Sequence, residues 1–327
     1  MSEVTPPAAT PRRSSRLPLY TLLLVIAGVI FAWTFPYFER MIRVVLSGSI
    51  VALGAIVFEI WLVFFNRRFS WKTRKRIGIG IVLAHVLFFG IFRIKEFSGD
   101  MVPVLTFRWT PERDRTLEKL TTTSEQSPDK QVAADFPQKI SSEDFPKFLG
   151  QLGNGTVETD LDFDFDWGKT PPREVWRMPI GAGWSGFSVI GPYAVTQEQR
   201  DTDECVTCYE KLTGNVVWSV SEPVRFTEAL GGVGPRATPT ILDGKVYAIG
   251  ATGILSCIEG KTGKLLWKRD TLEEFKQTTL DWAKSSSPLI VENQVIVSLQ
   301  APLVRSADGT NAQTDLLASY DREKGEP

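Results

Sequence analysis

The sequence predicts an α-helical membrane anchor followed by an all-β propeller assembled from repeats. Three observations carry this reading. Three long apolar runs fill the first ~100 residues, a polar stretch without periodicity follows them, and one motif recurs about every 50 residues in the C-terminal half.

The apolar runs are Leu17–Tyr37, Val44–Phe65 and Ile77–Ile94. Each is roughly 18–22 residues, enough at ~1.5 Å per residue to cross a ~30 Å hydrocarbon core. A cleaved leader does not account for the first run, which is too long, lacks a small-x-small site and is followed by two more runs. Arg12, Arg13 and Arg16 precede the first run, and Arg67, Arg68, Lys72, Arg74, Lys75 and Arg76 crowd the second loop. Positive residues stay in the cytoplasm, so three crossings place everything after Ile94 on the outer side of the membrane. Trp33, Tyr37 and Trp71 lie near span ends, as interfacial aromatics do. Two ionisable residues fall inside the runs, Glu59 and His85. Both are expected roughly 9–12 Å from the cytoplasmic surface, a depth at which they can pair. A hydrogen bond tying two helices is the plainer role, a proton or quinone contact the sharper one.

Composition narrows the function. The chain of 327 residues balances 37 Lys+Arg against 38 Asp+Glu, which removes the basic surface that nucleic-acid binding requires. The one histidine, His85, lies in an apolar run, so the soluble part holds no His-based triad or His-metal site. Cys205, Cys208 and Cys257 are too few for a disulfide framework. No catalytic set and no metal-ligating set is assigned.

The reading divides the chain into a cytoplasmic tail (1–16), the anchor (17–97), a polar linker (98–143) and the repeats (144–327). Within the linker, Met101–Trp109 has the pattern of one strand, and residues 121–130 carry almost no apolar side chain to offset their ordering entropy. The alternating run Asp160–Asp166 reads as a strand with one solvated acidic face, since it lacks the glycine and terminal glutamate of a calcium loop.

The repeats are read from two elements. The first is small-x-acidic-x-x-(Thr/Lys)-Gly-x-x-x-Trp: Cys208 to Gly214 and Trp218, Cys257 to Gly263 and Trp267, and a third copy from Ser319 to Gly325 that stops at Pro327. An insertion around 301–314 separates the last two copies. The second element is an apolar run around a two-residue turn, at Ser188–Val195, Thr240–Ala248 and Leu289–Val297. Asp243-Gly244 is a strong hairpin signal because both turn positions favour φ > 0. Each unit therefore reads strand, turn, strand, strand, glycine turn, strand, with the acidic residue accepting from turn amides and the tryptophan packing between units. Four short strands per ~40–50 residues is a propeller blade. Cys208, Cys257 and Ser319 share one repeat position, so the cysteines are packing residues, and i, i+3 strand neighbours point to opposite faces.

The Gly-x-x-x-Trp motif with its preceding acidic residue resembles the tryptophan-docking motif of pyrroloquinoline-quinone-type (PQQ-type) β-propellers. Asp144–Gly155, Gly181–Gly186 and Gly234–Pro239 are similar to segments of bacterial PQQ-like repeat proteins. The resemblance covers about half the chain, Asp144–Pro327, and implies two classes. One is the quinoprotein alcohol and sugar dehydrogenases, which hold PQQ over calcium; the other is non-enzymatic propellers that bind proteins. The adjacent cysteine pair common in the first class is missing here, and its Glu, Asn and Asp metal ligands have no assigned positions. A ring of this type has about eight blades and the repeats supply three to four, so further blades are expected beyond Pro327. Ligands of such propellers bind on loops entering the blades, which selects Trp184, Ser185, Arg236, Thr238 and Ser286, with Arg236 as the cation for an anionic group or as a partner of an acidic neighbour. The reading expects a binding or scaffold propeller for a periplasmic protein partner or small ligand, with a PQQ-dependent dehydrogenase as the alternative.

Overall fold

The computed structural model describes residues 16–120, 133, 135–157, 162, 164–228, 230–279, 282–299, 304–305, 311–312 and 316–327. They belong to two compact units, residues 1–110 and 111–327.

The first unit begins with helices α1 (Leu17–Thr34) and α2 (Arg40–Ile60), the latter finishing in one π-helical turn over Trp61–Phe65. They pack together where Gly54 meets Val25: a Cβ added to Gly54 would stand 2.4 Å from that side chain, so only glycine permits the approach. Most other apolar side chains on both helices remain exposed. Helix α3 (Trp71–Ile91) starts on Ser70, whose hydroxyl accepts from the Thr73 N–H at 3.3 Å.

The third apolar run departs from expectation. Residues Phe92–Phe97 leave the helix as strand β1, which pairs with β2 (Pro103–Phe107) in an antiparallel hairpin. The apolar part of α3 is thereby cut to 77–91, about 15 residues or ~22 Å, short of a ~30 Å core. Lys72, Arg74, Lys75 and Arg76 occupy the rest of the helix. Among the described residues two helices, not three, are long and apolar enough to cross a membrane: Leu17–Thr34 with 18 residues and Arg40–Phe65 with 26.

The second unit contains three consecutive sheets. The first, blade 1, is β3 (Ser188–Ile190), β4 (Tyr193–Arg200), β5 (Asp203–Glu210) and β6 (Val216–Glu222), hydrogen-bonded in chain order. A small hairpin, β7 (Thr227–Glu228) with β8 (Gly232–Val233), follows. Blade 2 repeats the order with β9 (Thr240–Leu242), β10 (Lys245–Ile249), β11 (Ile254–Glu259) and β12 (Leu265–Asp270), then a single turn of helix, α4 (Thr271–Glu274). Blade 3 joins β13 (Leu289–Val291), β14 (Gln294–Leu299) and β17 (Leu316–Asp321), with the hairpin β15 (Val304–Arg305) and β16 (Asn311–Ala312) inserted between the last two. Three blades are described, not a closed ring.

Period-2 alternation decides which junction each side chain seals. On β10, Val246 and Ala248 join Ile190, Val195, Cys208 and Trp218 in the core between blades 1 and 2. Their neighbours Tyr247 and Ile249 face the other way, into the core with Val295, Val297 and Tyr320 of blade 3. The Asp243-Gly244 turn has φ of 47° and 71°, the left-handed pair its sequence asks for.

The stretch expected to be a linker is partly structured. Pro103–Phe107 is a strand within the expected 101–109, and Asp114 sits buried against Arg225 at 2.6 Å. Ala133 and Phe136 enter the core of blade 1. Residues 121–130 lie outside the described residues. In the acidic run expected as a strand, the described residues Asp162 and 164–166 are not strand. Asp164 instead accepts from the Asp166 N–H at 2.9 Å and the Thr170 hydroxyl at 2.6 Å, closing a turn that lowers its carboxyl pKa.

Candidate functional site

The repeat motif builds the junctions between blades. Trp218, at the end of its Gly-x-x-x-Trp, lies 2% exposed, donates its indole N–H to the Gly260 carbonyl at 2.7 Å and stacks on Gly263. Trp267 does the same one blade on, donating to the Arg322 carbonyl at 3.1 Å and lying on Gly325. Gly214, Gly263 and Gly325 all have φ near 70° (73°, 68° and 68°), and a Cβ on Gly263 would stand 2.8 Å from Trp218. Glycine is thus required twice over, for the corner and for the ring. The acidic residues act less directly than expected: Glu210 and Glu259 accept from the hydroxyls of Thr213 and Thr262, which in turn accept from Asn215 and Lys264 N–H, both at 3.1 Å. Only Asp321, where lysine replaces that threonine, accepts from turn amides, those of Glu323 and Lys324, both at 2.8 Å.

A third docking tryptophan escaped the sequence reading. Trp176 donates to the Lys211 carbonyl at 2.9 Å and lies against Gly214, one blade earlier in the series. In the segment Thr170-Pro-Pro172-Arg-Glu-Val-Trp176 prolines 171 and 172 stand where the motif has its threonine and glycine, and only the tryptophan remains.

The residues selected as a ligand face are tied into the fold by hydrogen bonds. Thr238 is buried; its hydroxyl accepts from the Gly186 N–H at 3.1 Å, and its own N–H donates to Ser287 at 2.9 Å. Ser188 donates to the Pro239 carbonyl and Thr240 to the Pro288 carbonyl, the same stitch one blade apart. Ser185 accepts from Thr196 and from the Gln197 N–H, both at 3.2 Å, and Ser286 bonds Ser298. Arg236 pairs with Glu228 at 3.3 Å, donates to the Gly234 carbonyl at 2.7 Å and lies over the Phe226 ring, so its charge is committed within the loop. Burial lowers its pKa, partly countered by Glu228. Trp184 alone stands out, 68% exposed with its indole N–H held by the Gly231 carbonyl. Trp282, 58% exposed, lies in the loop entering blade 3.

The three cysteines are buried and free, two of them facing their motif tryptophans across the strand pair: Cys208 opposite Trp218 and Cys257 opposite Trp267. Burial pushes the Cys205 thiol up to about 11 and Cys257 to about 12, and raises Cys208 as well. Such thiols are poor nucleophiles and poor metal ligands. In the first unit, Glu59 Oε1 and His85 Nε2 are 3.9 Å apart, while the other ring nitrogen of His85 contacts the Ile81 carbonyl at 2.9 Å.

A feature with no motif lies between blades 1 and 2. A cleft of about 560 Å³ is walled by Val206, Val220, Ala248, Ile254 and Leu265 and bordered by Ser221, Ser256 and Glu204. Glu204 is buried, and both its oxygens accept from the Ala251 N–H, at 3.0 and 3.2 Å. Desolvation pushes its carboxyl up to about 7; neighbouring Glu222 adds to the rise, the Ala251 N–H and the charge of Arg236 oppose it. At the mouth, Lys268 of blade 2 bridges to Glu222 of blade 1 at 2.8 Å.

The quinoprotein cofactor needs converging metal ligands. Among the described residues no three His, Cys, Asp or Glu side chains gather in a way that could hold an ion.

Residues 171–326 match the family model described as outer membrane protein assembly factor BamB. A curated relative, the outer membrane protein assembly factor BamB of Xanthomonas campestris pv. campestris, is 26% identical over 140 residues, 40% of this chain and 34% of the relative. The chain thus spans about a third of that relative's length. Among solved structures, the quinohemoprotein alcohol dehydrogenase of Comamonas testosteroni aligns at 16% identity and TM-score 0.42, over 59% of this chain and 29% of that one. BamB of Moraxella catarrhalis aligns at 16% identity and TM-score 0.30, over 46% and 40%.

Proposed function

We propose, given that this chain is a PQQ-like propeller repeat protein, that its repeats serve as a protein-binding scaffold in the bacterial envelope, tethered to the inner membrane by the N-terminal helices. The observation that carries this is the use made of the entry loops. Their polar side chains are bonded to the next blade or within their own blade and loop and leave aromatic surface, Trp184 above all, for a partner. Exposed tryptophans held rigidly by a hydrogen bond are good anchors for a protein interface. The assembly-factor relative supports a protein partner in the envelope.

The experiment has two arms. Full-length protein incubated with PQQ and calcium, then desalted, is expected to show no quinone absorbance and no dye reduction with alcohols or sugars. In cells, a photo-crosslinking residue at position 184 is expected to capture a discrete envelope protein. Retained quinone with calcium-dependent dye reduction would overturn the scaffold reading in favour of a membrane quinoprotein dehydrogenase.

The periplasmic side is part of the proposal and depends on α3. Two crossings return the chain to the side it started from, so an outward-facing propeller needs α3 to cross as well. Its full 21 residues reach ~31 Å, and Lys72, Arg74, Lys75 and Arg76 on their long stems can snorkel to the cytoplasmic interface beside Trp71. Because all three native cysteines are buried, a Ser98→Cys variant labels selectively. Labelling of intact spheroplasts by an impermeant maleimide is the expected result; labelling only after lysis would reverse the topology.

A further inference from the structure

The cleft between blades 1 and 2 has the composition of a site for one particular group. Its walls are aliphatic, from Val206 and Val220 on one blade and Ala248, Ile254 and Leu265 on the next. Glu204 also lines it, a carboxylate removed from water. Among the described residues the Ala251 N–H is the one hydrogen-bond donor on Glu204, and no cationic side chain lies within ion-pair distance of it, Arg236 acting only from farther off. The adjacent acid is in a different condition: Glu222, directly opposite Glu204 on β6, is already neutralised by Lys268. Lys264, also at the rim, is exposed to solvent, where its charge is screened. A desolvated carboxylate gains most from a cation that arrives with an aliphatic stem, because the stem replaces water on the walls while the charge replaces lost hydration.

We infer that this cleft receives a lysine side chain from a protein partner, with its ammonium group on Glu204 and its methylenes between Val206, Val220 and Ile254. The inference rests on the scaffold role proposed above and names the chemistry of one contact within it. Lysine suits the site better than arginine: a compact ammonium can share a carboxylate already bound to a backbone N–H, whereas a planar guanidinium wants both oxygens in a bidentate pair.

The test uses the full chain in detergent and calorimetric titration with acetyl-alanyl-lysyl-alanine amide. Binding is expected, weaker by at least about tenfold when norleucine replaces lysine, since the uncharged analogue keeps the stem and loses the charge. Glu204→Gln, which retains an acceptor for Ala251, should lose a comparable factor. Ser256→Leu, which fills the cleft, should abolish binding, and a melting temperature no lower than that of the parent in each variant separates loss of the site from loss of the fold. Equal binding of the norleucine peptide, undiminished binding by Glu204→Gln, or no binding at millimolar peptide would each overturn the inference. Tighter binding of free n-butylamine than of the peptide would also overturn it, by assigning the cleft to small amines. The crosslink from position 184 does not pass through the cleft, so failure of the scaffold role is visible apart from failure of this site.

Discussion

Trp218 and Trp176 make the same docking contact at successive junctions, yet they stand in different surroundings. Each donates its indole N–H to a carbonyl of the following blade, at 2.7 and 2.9 Å, and each lies on a glycine in the left-handed conformation. Trp218 is 2% exposed because blade 1 stands behind it and blade 2 in front; Trp176 is 39% exposed. The hydrogen bond and the glycine are written into the motif. Burial, which supplies most of the energy, comes from the sheets on either side.

The largest test of that contrast is truncation. Trp218→Ala should cost about 3–5 kcal/mol of unfolding free energy in denaturant titrations, and Trp176→Ala only about 1 kcal/mol. Equal losses would mean that the docking bond, rather than burial, holds the blades together.

The next effect comes from Glu204 at the same junction. Its folded carboxyl keeps a proton up to about pH 7, against 4.5 when unfolded, so the folded state binds more protons in between. That contribution is fully present below about pH 4.5 and is lost as pH rises through about 7. Stability followed by tryptophan fluorescence should therefore fall by on the order of 2–3 kcal/mol across that window, and Glu204→Gln should flatten the slope. An identical pH profile in the variant would remove Glu204 from the account.

Gly263 and Gly232 sharpen the comparison further. Both have positive φ, 68° and 75°, but a Cβ would collide with Trp218 at the first and meet nothing within 4 Å at the second. Gly263→Ala should cost about 2 kcal/mol or more, through strain and displacement of the ring, and Gly232→Ala about 1 kcal/mol through strain alone. The smallest effect is expected at the rim. Lys268→Met breaks an exposed bridge to Glu222 and should change stability by about 0–1 kcal/mol, less at high salt.

Much of the repeat unit was legible as pattern. Asp243-Gly244 names its turn, and Gly214, Gly263 and Gly325 name their corners, because each demands a backbone few other residues adopt. Trp218 and Trp267 were readable as packing plates by their fixed distance from those glycines. Trp176 was hidden by Pro172 in the glycine's place. The entry-loop residues Thr238 and Ser286 could be located by position but not by role, since a hydroxyl on a loop has the same sequence signature whether it meets a ligand or the next blade. Arg236 pairs with Glu228, a partner its sequence position did not name.

By itself the sequence determined the repeating strand order, the glycine corners, the docking tryptophans and the two long apolar helices. These are local properties, fixed by backbone preference and by the periodicity of apolar side chains. Tertiary structure alone decided which tryptophan is sealed, that α3 gives way to a hairpin at Phe92, and that Glu204 loses its water between two blades. Burial and desolvation depend on what other segments bring alongside, and residues far apart in the chain, such as Glu204 and Ala251, acquire that environment only when the sheets stack.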